Sequence, residues 1–145
     1  MLTPREVREG QPARIWSGDD LSVDAMQVPH GIVPAVAFRV ESGDTSVVFA
    51  SDQNLSDPVF AEYAKGASIL VMHMVVPENV TGVGRSLHAP PSVIGKLAGQ
   101  ADPGRLVLSH FMARSLDDQA GNVAIVRQGF DGDIVLAEDL ACVTP

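Results

Sequence analysis

The spacing of hydrophobic positions changes along this chain. In "LSVDAMQVP", residues 21–29, Leu21, Val23 and Ala25 alternate with polar neighbours, the period-two pattern of a half-buried strand. "VPAVAFRV", 33–40, predicts a second strand and "SVVFAS", 46–51, a third. The short connection between those two, "ESGDT", has Gly43 and Asp44 as turn formers and predicts a hairpin. The period then lengthens. "SDPVFAEYAKG" has an Asp cap candidate, Pro58 at the first helical position, Val59, Phe60, Tyr63 and Ala64 on one face, and Gly66 as a stop. "ASILVMH", 67–73, is apolar without alternation, as expected of a strand covered on both faces. Residues 75–89 read as a loop through Pro77, Gly82 and Gly84. "PPSVIGKLAGQA" predicts a helix with Val93, Ile94, Leu97, Ala98 and Ala101 in one stripe. "RLVLS", 105–109, predicts a strand. Residues 115–129 predict a helix capped by Ser115 and weakened by Gly121 and Asn122, and "DGDIVLAED" a turn and a last strand.

Three strands followed by three helix–strand units predict an α/β fold, a layered sheet with helices packed on it. In such sheets the functional crevice lies beyond the carboxyl ends of the strands. Three apolar runs place reactive side chains there: "TSVVFASD" ends on Asp52, "ASILVMH" on His73 and "RLVLSH" on His110. Two further histidines complete the set of four. His30 follows a strand, and His88 sits in a loop before a helix N-terminus. None lies in an H-x-H or H-x-x-x-H arrangement, so a metal site would have to be assembled by folding. Taken singly, each has a plain structural reading: Asp52 as a turn carboxylate, His73 as a satisfied core histidine, His88 on a surface loop, His110 at a strand end. Their shared placement at the same end of successive strands favours a site. No G-x-S-x-G elbow is present, "GVGRS" lacks the ending of a phosphate-binding loop, and Asp19–Asp20 and Asp117–Asp118 read as solvated turn or helix-start residues.

Composition narrows the partners. The 145 residues suit one domain, 1–145, without repeats, low-complexity segments or a linker. The 46% hydrophobic and 19% charged content is that of a globular chain. Apolar runs stay far below the ~20 residues of a membrane span. "MLTPREVREG" lacks the apolar centre of a signal peptide. One cysteine, Cys142, excludes an internal disulfide framework and fits a reducing, cytoplasmic setting. A net charge of −8, with only 10 Lys and Arg, disfavours nucleic acid as a partner.

In order, "VPHGIVPAVAFRVESGDTSVVFASDQ", "AEYAKGASILVMH", "HAPPSVIGKLA", "RLVLSHF" and "GDIVLAEDL" resemble the C-terminal half of the metallo-β-lactamase-fold hydrolases. The ribonuclease Z and arylsulfatase-like branch is the nearest, and the resemblance spans roughly residues 20 to 140. It implies half of an αββα sandwich: one mixed sheet with helices on one face. It further implies that Asp52 bridges two metal ions, that His110 binds the second ion, and that His88 contacts substrate and passes a proton to the leaving group. His30 matches a histidine near the substrate pocket. The implied cofactor is zinc or manganese, if a site is assembled, and the implied reaction is hydrolysis of an ester or phosphoester.

The chain departs from the family pattern in three ways. The H-x-H-x-D-H signature is absent, and the chain begins after the place where it would stand. Met74 occupies the position of a glutamate that orients the loop histidine. Gln53 and Pro90 replace threonines of two motifs. Two functions follow as expectations: a truncated metal-dependent hydrolase, inactive alone, or a degenerate homologue serving as a non-catalytic interaction module. Without its other half the sheet would expose an apolar face. The chain is therefore expected to form a homodimer or to pair with a separate N-terminal half. The expected substrate, if the chain is active, is a small molecule.

Overall fold

The computed structural model of this protein describes residues 6–145. The reading of residues 1–10 against a signal peptide falls partly on residues 1–5, which lie outside the described residues.

A seven-stranded sheet runs in sequence order. β1 (Ala13–Ser17), β2 (Ser22–Val28), β3 (Ala35–Ser42) and β4 (Thr45–Phe49) form an antiparallel meander. β5 (Ile69–His73), β6 (Arg105–Ser109) and β7 (Asp133–Leu136) then add in parallel. Parallel neighbours require crossovers, and the helices supply them. α1 (Val59–Tyr63) links β4 to β5. α2 (Gly82–Leu87) and α3 (Pro91–Ala101) link β5 to β6. α4 (Ala113–Leu116) and α5 (Gln119–Val126) link β6 to β7. The mixed sheet agrees with the sequence reading.

The core lies between one sheet face and the helices. Met26, Val28, Ala37, Val48, Leu70, Met72, Leu106 and Leu108 occupy alternate strand positions, and all are fully or almost fully buried. Phe60, Ile94, Leu97, Ala98 and Val126 from α1, α3 and α5 cover them. α3 meets the C-terminal end of α5 backbone to backbone. A Cβ added at Gly95 would collide with the carbonyl oxygen of Val126, and one added at Gly99 with that of Gly129. Arg39 ties the C-terminal end of α1 to the sheet by donating to the carbonyls of Tyr63 and Lys65 at 3.1 and 3.2 Å.

The opposite face carries Val36, Phe38, Val40, Val47, Phe49, Val71, Val107 and Val135. Phe38 pairs with Phe49 across the β3–β4 ladder, Phe49 with Val71, Val71 with Val107, and Val107 with Val135. The result is a continuous apolar row. Phe49 is 46% exposed and Phe38 37%, so the row is open to solvent at its centre.

Several local expectations are corrected. β1 was not expected; it is an edge strand whose register slips between Arg14 and Trp16. The loop at 75–89 contains α2, a short helix that buries no residue and is rich in glycine. The helix expected over 115–129 is two helices. Asp118 separates them and caps α5 by accepting from the Gly121 N–H at 3.0 Å, while Ser115 lies inside α4. Pro58 precedes α1 as its cap residue and does not open it.

Candidate functional site

The strands deliver the reactive side chains, and two backbone reversals aim them. After β4, Ser51 adopts left-handed backbone with φ 57°, and Asp52 follows. After β6, His110 itself adopts φ 52°. Such a conformation costs a residue with a Cβ about 1 kcal/mol, and here it turns the chain out of the sheet at its carboxyl edge. Hydrogen bonds lock the strand ends in place: Ala50 N–H donates to Val71 O at 2.9 Å, and Met74 N–H to Ser109 O at 2.8 Å. The loop carrying His88 is fixed to the Asp52 turn. Ala89 N–H donates to Gln53 O at 3.0 Å, and Asn54 Nδ2 to Ser86 O at 2.7 Å.

All four histidines converge on this edge. The His88 ring centroid lies 4.9 Å from that of His30, 5.5 Å from His73 and 6.5 Å from His110. His110 Nε2 lies 3.3 Å from Asp52 Oδ2. His30, Asp52 and His88 each offer a ligand atom, and these atoms lie within 4.8 Å of one another. A crevice of about 200 Å³, lined by Phe49, Asp52, Val71, His73 and His110 among others, joins the cluster to the open sheet face. His73, whose direction was open in the sequence, sits at the same edge and is 3% exposed. The sign that could have included it was already present: its run ends on a histidine just as the β6 run does.

Two tautomers are fixed by backbone carbonyls, which only accept. His30 Nδ1 donates to Leu87 O at 2.8 Å, and His73 Nδ1 to Ser51 O at 3.0 Å. Each therefore presents a lone pair at Nε2. His73 Nε2 and His88 Nδ1 are both buried and have no partner among the described residues. Gln53 is fully buried and donates to Ala50 O at 2.7 Å, and its Oε1 is likewise unpartnered. Met74 is fully buried in the core, so no carboxylate stands where the resemblance places one.

Burial pushes the His73 pKa down to about 4, against a smaller opposing effect of Asp52. Burial also lowers that of His88, with Asp52 opposing and His30 and His110 reinforcing. A histidine held neutral costs stability in acid. Above the ordinary pKa of 6.5 both folded and unfolded chains leave His73 uncharged. As pH falls from 6.5 toward 4, the unfolded chain gains a proton that the folded chain does not take, so stability drops across that window. In the presence of a chelator, urea unfolding at pH 7 and pH 4.5 should show about 2–3 kcal/mol of acid-induced loss that His73→Gln lacks. An equal loss in both proteins would refute the assignment.

No protein-family model matches the chain. Ribonuclease Z of Mycobacterium tuberculosis (strain ATCC 25618 / H37Rv) is 27% identical over 146 residues, covering 94% of this chain and 53% of that protein. The metallo-β-lactamase fold protein YhfI from Bacillus subtilis superposes with a TM-score of 0.74 at 21% identity, covering 89% of this chain and 50% of that one. The fold is therefore settled. This chain has a metallo-β-lactamase fold. Human tRNase Z, short form, agrees, with a TM-score of 0.70 at 17% identity over 93% of this chain and 47% of that one. The chain spans about half the length of the ribonuclease Z proteins it matches. Among the described residues, no helix is long and apolar enough to cross a membrane.

Proposed function

We propose that this chain is the C-terminal half of a metallo-β-lactamase superfamily hydrolase, acting on a small ester or phosphoester once an N-terminal half completes its metal site. The observation that carries this reading is the convergence of Asp52, His88 and His110, from three separate segments, on one edge of the sheet. The donors fit a divalent ion of zinc or manganese type. They are a carboxylate and imidazoles, the neighbouring His30 and His73 have their tautomers set by backbone carbonyls, and two buried histidine nitrogens at the site, His73 Nε2 and His88 Nδ1, lack a partner.

Asp52 and His110 would hold the metal, which when bound would supply charge stabilisation and a more acidic water. His88 holds a proton at the crevice and delivers it to the departing oxygen. His30, anchored through Nδ1, orients the substrate from the other side. The net charge of −8 favours a small substrate over a polynucleotide. The open apolar face would be covered by an N-terminal half-fold carrying H-x-H-x-D-H, joined or separate, and by a second copy of this chain where none is available.

The test combines the chain with such a half in zinc or manganese and assays ester and phosphodiester hydrolysis. Activity should require both halves and the metal, and should disappear in Asp52→Ala. A reconstituted, metal-loaded pair that hydrolyses nothing would refute the hydrolase. One observation favours a second, non-catalytic reading: the buried Met74 removes the carboxylate that would orient His88. That same inert pair, if tightly associated, would support an interaction module.

A further inference from the structure

We propose that this chain carries a single-ion site of its own, formed by His30 Nε2, the Asp52 carboxylate and His88 Nε2, with His73 as the positioning residue behind His88. The site shares all three residues with the hydrolase reading, in which His88 delivers a proton and His30 orients the substrate, so the two uses of these histidines alternate; it needs no second half, and it omits His110.

Three observations converge on it. First, His30, Asp52 and His88 bring one ligand atom each within 4.8 Å of the others, a three-donor set for a divalent transition ion. Second, the unused nitrogen of His30 is placed as a metal-binding histidine requires. A ligating histidine gives its other N–H to a fixed acceptor, which sets the tautomer and the ring orientation. His30 already does so through Nδ1 to Leu87 O at 2.8 Å. Third, the two buried, unpartnered histidine nitrogens complement each other. His73 Nδ1 donates to Ser51 O, so its Nε2 can only accept while it is neutral. His88 Nδ1 is unpartnered, and a proton there would make it a donor. The rings are 5.5 Å apart, a separation at which facing imidazole nitrogens reach hydrogen-bond range. When His88 turns Nε2 to the ion, Nδ1–H is left for His73 Nε2. His73 thereby supplies the acceptor that Met74 does not, and both orphaned atoms are satisfied.

The experiment is a titration of the full chain, without any partner, with Co²⁺ followed by visible absorption and by calorimetry with Zn²⁺. One ion per chain should bind with a ligand-field spectrum. Binding should weaken by more than about 100-fold in His88→Ala, and in both His30→Ala and the shape-keeping His30→Asn. It should persist at one ion per chain in His110→Ala. His73→Phe, which removes the acceptor, should weaken binding by about 10–100-fold, and His73→Gln, which keeps one, should restore most of it. Circular dichroism of each variant separates loss of ligand from loss of fold. An ion lost in His110→Ala but kept in both His30 variants would lie at the Asp52–His110 pair, overturning this inference and leaving the hydrolase reading intact. No ion bound by the folded wild-type chain would also overturn it, whereas failure of the two-half assay alone would not.

Discussion

Phe49→Lys should leave the chain folded but unable to associate through its sheet, weakening self-association or capture of an N-terminal half by at least about 1000-fold. Phe49 sits at the middle of the open row, flanked by Phe38 and Val71 on neighbouring strands. It is 46% exposed in the isolated chain, so its replacement removes little from the core. In a face-to-face assembly the same position lies at the centre, and a lysine there would have to bury an unpaired charge. Sedimentation equilibrium at micromolar concentration, with thermal unfolding as the control for folding, reads both effects. A wild-type chain that is monomeric throughout would end the proposal that a second copy of this chain covers the face when no N-terminal half is present.

Gly95→Val should destabilise the fold by about 4 kcal/mol, and Gly95→Ala by about 2. Helix propensity predicts the opposite sign for alanine, a gain of about 1 kcal/mol. Sterics win because the Cβ would enter the backbone of α5: the Val126 carbonyl oxygen lies in its path, and Val126 Cα would be 3.0 Å away. Backbone cannot give way as a flexible side chain can, so α3 must move. His88 stands three residues before the first residue of α3, and that movement should also weaken Co²⁺ binding. Urea unfolding of the two variants beside wild type decides between propensity and packing. An alanine variant more stable than wild type would show that the two helices can separate at no cost.

Most of the sheet was legible because its strands have one of two simple signatures. β2 shows partial alternation, and the centres of β5 and β6 are apolar without alternation because one face packs on the helices and the other belongs to the apolar row. β1 was invisible because Trp16 is exposed and a bulge interrupts the pattern within five residues. α2 was hidden by Gly82 and Gly84, which lower helix propensity and leave nothing buried to set a period. The break between α4 and α5 was written in Asp118, which fits the helix-start reading of that acidic pair but was not used to divide the helix. At the site, Asp52, His73 and His110 were legible as strand ends. The joining of His30 to His88 was not, since it depends on hydrogen bonds between segments distant in sequence, His30 Nδ1–H to Leu87 O and Ala89 N–H to Gln53 O, that no residue type announces.

The order of pairing in the sheet bears on folding time. β1 to β4 are neighbours in sequence as well as in space, so their hairpins close short loops at small entropic cost. β5, β6 and β7 can pair only after a helical crossover has been threaded between each and the strand before it. His73 and His110 ride on those late strands, and His88 on the longest of the crossovers. The meander is therefore expected to form early and the histidine cluster to close last. A bound ion should then act mainly on the unfolding rate, prolonging the lifetime of the finished chain while leaving its rate of formation almost unchanged.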